Sequence, residues 1–327
     1  MKRFFSLLLT VLLLASCARQ SRVASSDGAI VLSFRLSEAG QPQYRVTQDK
    51  QTVIEWSSLG LLAGQFDLTN GFKITGTDRR SCDEAWETVW GEERQIVDRH
   101  NEMTVHLMHT SGMNMDIIFR VYNDGFAFRY AFPEQAQQNL TITDEVTEYR
   151  FVDNPQAWSI PWRTEYYEGI WTKALLSEKK DTLCSPLTLE LPEGRYAFIH
   201  EAALTDYPAQ NFYISDSALC TFLTPWLSTN DQRDPDWTND QSIKAYEPLP
   251  FASPWRFVIL TRSLREMVAS RIMLNLNEPC RLEDTSWIKP MKFIGIWWCC
   301  RACSAVRGRY DSLRSYVEGL KRRCAPR

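Results

Sequence analysis

The chain has 327 residues, 44% hydrophobic and 24% charged, with a formal net charge of −3. This composition excludes a disordered polyelectrolyte and a collagen-like repeat, and it leaves enough chain for one large or two ordinary domains with a real core. Charge is unevenly placed: residues 1–298 hold 29 basic and 38 acidic side chains, whereas 299–327 hold eight basic and two acidic, so the body is acidic and no nucleic-acid partner is expected.

In chain order, Lys2 and Arg3 precede an apolar run from Phe4 to Leu14, which is the pattern of an export signal and too short for the roughly 20 apolar residues of a membrane span. Leu14-Ala15-Ser16-Cys17 follows. It resembles a bacterial lipobox, in which the cysteine is lipidated and becomes the first residue of the mature protein. Residues 1–17 are therefore expected to be a lipoprotein signal peptide and Cys17 the lipid attachment site. With no acidic residue at Ala18 or beside it, the expected address is the periplasmic side of a Gram-negative outer membrane. Residues 18–27 are expected to be a polar tether.

From residue 28 onward the pattern has the period of strands. Ile30–Leu36 alternates, and Gln43–Thr47 with Thr52–Ile54 predicts a hairpin across Asp49-Lys50. Further strands are expected at Met103–Met108, Asn114–Tyr122, Ala127–Phe132, Thr141–Val146 and Glu148–Phe151. Asn123-Asp124-Gly125, set between alternating aromatic and β-branched residues, predicts a tight hairpin with left-handed turn residues. Leu187–Leu191, Tyr196–His200, Asn211–Ile214 and Phe257–Leu260 continue the series, and Ser263–Ala269 is the best short helix. So many short strands with so little helix predict an all-β fold, a large antiparallel β-sandwich. Residues 230–246 are expected to be a long exposed loop.

Two clusters hold the residue types that recognise sugars. Trp158 to Trp171 gathers Trp158, Trp162, Glu165, Glu168 and Trp171, and flat aromatic faces beside carboxylates suit the C–H faces and hydroxyls of a saccharide. An aromatic plug at the end of a sandwich fits the same composition. Trp86 to Arg94 is a second aromatic and acidic cluster, read as a solvated face. Glu201 follows a strand, a position from which it either reaches a hard cation or a neighbouring domain or sits on the surface. His106 and His109 fall on opposite faces of one strand and make a poor metal pair. The cysteines Cys82, Cys184, Cys220 and Cys280 lie far apart and form no CxxC. No nucleophile elbow, phosphate loop, HExxH or dinucleotide fingerprint is present.

These segments together resemble the N-terminal domain of glycoside hydrolase family 97. The resemblance is carried by Phe119–Tyr130 (FRVYNDGFAFRY), Trp86–Glu92, Trp158–Trp171, Glu201-Ala-x-Leu-x-Asp-Tyr-Pro208 and Trp287–Trp298. It implies a super-sandwich of the galactose-mutarotase type over residues 28–288, followed by the start of a (β/α)8 catalytic barrel at 289–298. It also implies an α-glucoside or α-galactoside as carbohydrate partner and a calcium ion in the active site, with Glu201 as the ligand contributed by the N-terminal domain. Trp162, Glu165 and Trp171 become candidates for the wall of the sugar pocket, and no catalytic residue is expected within the chain. After Trp298 the similarity stops, and residues 299–327 introduce four of the nine cysteines together with a basic charge. That break predicts a truncated enzyme with an aberrant tail, inactive as it stands. Two alternatives are a lipid-anchored carbohydrate-binding module and a docking domain for a separate barrel.

Overall fold

The computed structural model describes residues 21–89, 91–163, 168–224 and 243–289. Two compact units divide the chain, residues 1–280 and 281–327. In the second, the described residues 281–289 form turns in which Trp287 Nε1 donates to the Asp284 carbonyl at 3.0 Å.

The first unit contains four antiparallel sheets among the described residues. The largest has ten strands. Its order runs Thr172–Leu175, Gln156–Ser159, Leu187–Glu190, Tyr196–Ala202, Trp255–Thr261, Gly125–Phe132, Asn114–Tyr122, Gln95–His109 and Phe72–Glu87, with Phe251–Ala252 paired alongside Gly125–Phe132. Three four-stranded sheets complete the sandwich. Ser21–Ala24, Ile30–Leu36, Pro42–Gln48 and Gln51–Ser58 form the first. The second combines Ala245–Pro248, Asn139–Glu145, Leu61–Ala63 and Phe66–Leu68, and the third combines Glu148–Tyr149, Ala218–Leu223, Gln210–Ser215 and Leu183–Cys184.

The period-two pattern explains the layering. Along Pro42–Gln48 the alternate residues Tyr44 and Val46 are fully buried while Gln43 and Arg45 are not, as expected of a sheet with one face on the core. One continuous apolar core unites all four sheets, with Phe34, Tyr44, Phe119, Phe126, Phe128, Tyr149 and Phe212 among its largest members. A second, smaller cluster lies on the outer face of the large sheet. There Tyr122, Ala127, Trp255, Phe257 and Ile259 pack against Ile272 and Leu276, which belong to or adjoin the short helix Ile272–Asn275. The helix Leu264–Ala269 starts as expected, with the Ser263 hydroxyl accepting the Glu266 amide.

Three expectations need correction. Residues 21–27 are not a tether: Ser21–Ala24 pairs with Val31–Phe34 and buries Val23, because a polar Ser-Arg-Val-Ala segment still offers one apolar residue to the core. The Asn123-Asp124 turn exists, joining Tyr122 to Gly125, but none of its residues is among those with positive φ. Gly125 is required for a different reason, since a Cβ there would lie 2.2 Å from the Val258 carbonyl oxygen. The expected left-handed pair occurs instead at Asp49 and Lys50, with φ of 52° and 68°. Finally, the Trp86–Arg94 segment is not simply a solvated face, because Trp86 Nε1 donates to Asn275 at 2.9 Å and Glu93 pairs with Arg271. Cys17, Glu165, the barrel start from residue 290, residues 230–242 of the expected loop and the tail 299–327 lie outside the described residues, while Ala245 and Tyr246 of that loop belong to the strand Ala245–Pro248, paired with Asn139–Ile142.

Candidate functional site

Glu201 is the penultimate residue of its strand, and its side chain points into the sandwich rather than to solvent; the residue is 6% exposed. Directly across the sheet from it stands Arg256, in register on the neighbouring strand and fully buried. A guanidinium in such a place needs carboxylates. Glu201 Oε2 lies 2.5 Å from Arg256 Nη1, and Glu145 of the second sheet closes the other side in bidentate fashion, at 3.0 Å to Nε and 2.8 Å to Nη2. The bidentate geometry is the strong form of this contact.

A hydrogen-bond chain extends the cluster. Thr147 Oγ1 donates to Glu145 Oε1 at 2.8 Å, the Tyr130 hydroxyl lies 2.9 Å from Thr147 Oγ1, and the Gly60 amide donates to the Tyr130 oxygen at 3.0 Å. Glu201 Oε2 also accepts the Gln210 amide at 3.1 Å. Tyr207 places its ring 5.8 Å from the guanidinium carbon and stacks on Phe251. Burial pushes the Glu201 carboxyl above its usual range, with Arg256 and the Gln210 amide opposing that rise. Desolvation works against the Arg256 charge, but Glu145 and Glu201 outweigh it and hold the guanidinium protonated. His200, on the opposite face of the same strand, is pushed down to about 4 by burial and by Arg256, and it meets Ser185 Oγ at 2.9 Å. Glu247, also buried, is pushed up to about 7 by burial and by Asp206.

This environment does not by itself suit calcium. The ion takes six to eight oxygen ligands, whereas Glu201 commits Oε2 to a cationic guanidinium and belongs to no group of three metal-ligating side chains among the described residues. Glu145 and Glu201 are both tied to one arginine in the interior of the sandwich.

The aromatic segment has a packed part and an exposed part. Trp162 is half-buried and meets Phe222 edge to face at 5.4 Å, so it is packing. Trp171, Ile170 and Trp158 are exposed, Ile170 to 87%, and they border the hairpin of Gln156–Ser159 with Thr172–Leu175. Trp158 Nε1 donates to Glu190 Oε1 at 2.8 Å, and Lys173 pairs with Glu190 Oε2 at 2.6 Å. No ring contact joins Trp162 to Trp171. Sequence reasoning missed Arg256 and Glu145; the available signal was a single arginine opening the apolar run Trp255 to Leu260.

A cleft of about 840 Å³ opens on the outer face of the large sheet, lined by Trp86, Asp98, Arg120, Arg129, Trp255 and Glu278 among others. Two guanidiniums meet one ring there, with Arg120 4.6 Å and Arg129 4.4 Å from the Trp255 centroid. Arg120 is held by Glu102, which also accepts Arg80. Burial alone would raise Glu102, but the two guanidinium hydrogen bonds prevail and keep its carboxyl below the ordinary range. A second depression of about 800 Å³ lies around Gly40, Phe72 and His109.

Residues 23–279 match the family model described as Glycosyl-hydrolase 97 N-terminal. Among curated relatives, a retaining alpha-galactosidase of Bacteroides thetaiotaomicron is 26% identical over 91% of this chain and 47% of its own length. A probable retaining alpha-galactosidase of Streptomyces bingchenggensis is 24% identical over 77% of this chain and 37% of its own. The chain thus spans less than half the length of the curated relatives it matches. Among solved structures, a glycoside hydrolase family 97 enzyme from Pseudoalteromonas sp. strain K8, in complex with acarbose, superimposes with a TM-score of 0.75 and 33% identity over 85% of this chain and 41% of that one.

Proposed function

The chain belongs to glycoside hydrolase family 97, of which it carries the N-terminal domain, and from that premise we propose that it acts as the non-catalytic support of an α-glycosidase, presenting an aromatic ledge to an α-glucoside or α-galactoside. The observation that carries the proposal is the sealing of Glu145 and Glu201 around Arg256. Glycoside hydrolysis needs two accessible carboxylates at about 5–5.5 Å for retention or roughly 6.5–9.5 Å for inversion, and this pair is spent on holding two sheets together. The relatives' names supply both sugar classes, a galactosidase in one case and an acarbose complex in another. A turnover assay of the full chain on aryl α-glucosides and α-galactosides tests the reading: no hydrolysis is expected, and turnover lost in Glu145→Gln or Glu201→Gln would overturn it.

We place the calcium expected at Glu201 only in a joined sandwich and barrel, where an ion held by further carboxylates would compete with Arg256 for the Glu201 oxygens. Calcium titration of this chain alone should give no binding that depends on Glu201. Export through the Phe4–Leu14 signal and lipidation at Cys17 complete the proposal, placing the domain at the outer membrane; radiolabelled palmitate should enter the wild-type chain and not Cys17→Ser. A second reading, a lipid-anchored carbohydrate-binding module without hydrolase activity, is favoured by the exposed trio Trp158, Ile170 and Trp171. Millimolar saccharide binding lost in Trp171→Ala would support it.

A further inference from the structure

The same cleft borders a second cluster through Asp98, one of its lining residues. Cys82 on the edge strand stands directly opposite His100, and Glu84 stands opposite Asp98, in the register of Phe72–Glu87 with Gln95–His109. Residues two apart on a strand share a face, so Cys82, Asp98 and His100 project together from the outer face of the sheet. One sulfur, one carboxylate oxygen and one ring nitrogen from these three all lie within 4.8 Å of one another. The His100 side chain is 3% exposed and that of Asp98 17%, while Asp98 also lines the cleft. One strand further on, the ring of Tyr122 sits 5.1 Å from that of His100, and its buried hydroxyl makes no well-formed hydrogen bond. Cys82 is a free thiol.

We propose that Cys82, Asp98 and His100 form a binding site for a borderline-soft divalent transition-metal ion of the zinc type, with its fourth coordination position open to the cleft. The donor set selects the ion. A thiolate disfavours calcium and magnesium, which take oxygen, whereas sulfur, imidazole nitrogen and carboxylate oxygen together are the ligands zinc accepts. The charges also balance. On binding, the Cys82 thiol releases its proton to solvent and the imidazole stays neutral, with its single proton on the ring nitrogen that does not bind. Thiolate and carboxylate then neutralise the dication, and no oxidant or reductant is required. As folded here, Asp98 Oδ1 and His100 Nδ1 are hydrogen-bonded at 2.7 Å. Two ligands around tetrahedral zinc stand roughly 3.3 Å apart, so binding through these atoms opens the pair by about half an ångström.

The test is cobalt(II) titration of the full chain, purified with its thiols reduced. The expected result is one equivalent of Co2+ giving a thiolate-to-cobalt charge-transfer band and the d–d absorption of a tetrahedral site, both abolished by added zinc. Cys82→Ser and His100→Gln should each weaken binding at least tenfold. A chain with serine at 299, 300, 303 and 324 should retain the spectrum, which separates this site from the cysteines near the C-terminus. A measurement on the unmodified chain covers the case in which a variant misfolds: zinc should slow alkylation of the Cys82 peptide, read by mass spectrometry, at least tenfold. The proposal is overturned if no cobalt spectrum forms, if the spectrum survives Cys82→Ser or vanishes in the tail variant, if zinc leaves Cys82 alkylation unchanged, or if Cys82 is isolated in a disulfide with Cys280.

Discussion

Replacing Arg256 by methionine keeps a flexible, unbranched apolar stem, shorter than the original, and removes the cation that neutralises two buried carboxylates. The Glu145 and Glu201 side chains are 0% and 4% exposed, so neither is rescued by solvent. Breaking a buried pair typically costs about 3–5 kcal/mol. Each carboxyl has an escape, which is to take up a proton. At pH 7, about 2.7 units above an unfolded glutamate, that costs about 3.7 kcal/mol, so the penalty per carboxylate is capped near this value. With two carboxylates sharing one guanidinium, the expected loss is about 4–7 kcal/mol at pH 7, a large part of the roughly 5–15 kcal/mol that holds a typical domain. The orphaned carboxyls have folded pKa values above their unfolded ones, so the folded state binds the extra protons and the variant regains stability as pH falls toward 4.5. Urea unfolding followed by circular dichroism at pH 7 and pH 5 measures both effects. Adding Glu145→Gln and Glu201→Gln to Arg256→Met should recover at least half of the loss, because no uncompensated charge remains. A loss under about 1 kcal/mol at pH 7, or one that does not change with pH, would refute the reasoning.

Gly125→Ala drives a Cβ to 2.2 Å from the Val258 carbonyl oxygen and 2.9 Å from Ile259 Cα, both backbone atoms of a central strand, and should cost at least about 2 kcal/mol; unfolding midpoints check it. Glu247, at about 7 when folded, lies above its unfolded value, so its contribution is present at acid pH and lost as pH rises through 7. Glu247→Gln should remove about 1–2 kcal/mol of the stability difference between pH 5 and pH 8, allowing for partial screening. Trp162→Ala should destabilise by about 1–2 kcal/mol through lost contact with Phe222, whereas Trp171→Ala, at an exposed position, should stay within about 0.5 kcal/mol; parallel thermal melts of the two variants decide.

The strands that were legible in the sequence are those whose alternation maps directly onto a half-buried face, such as Ile30–Leu36, which the structure reproduces residue for residue. The hairpin of Phe72–Glu87 with Gln95–His109 was mostly hidden. Its outer strand has one buried residue among sixteen, because an edge strand carries charges such as Asp78, Arg79, Arg80, Asp83 and Glu84 that discourage pairing with another chain and erase the apolar period. Glu201 could be singled out only through resemblance, since a strand-end glutamate has no local mark that distinguishes burial from exposure. Its partner Arg256 is 55 residues away and Glu145 111 residues from Arg256. A cluster assembled by strand register and by contact between sheets leaves no spacing to find, and Cys82 meets His100 only through the register of their hairpin.

The order of the ten-stranded sheet has a consequence for synthesis. Trp255–Thr261 lies between Tyr196–Ala202 and Gly125–Phe132, so the last long strand among the described residues is the one that joins the two halves of the sheet. Until it emerges, the nascent chain exposes two open strand edges and two carboxylates awaiting their arginine, and those pairings span long loops that close slowly. A chaperone that shields strand edges should therefore matter most during the interval between translation of Ala202 and of Thr261, and a ribosome stalled within it would hold the chain at its most aggregation-prone stage.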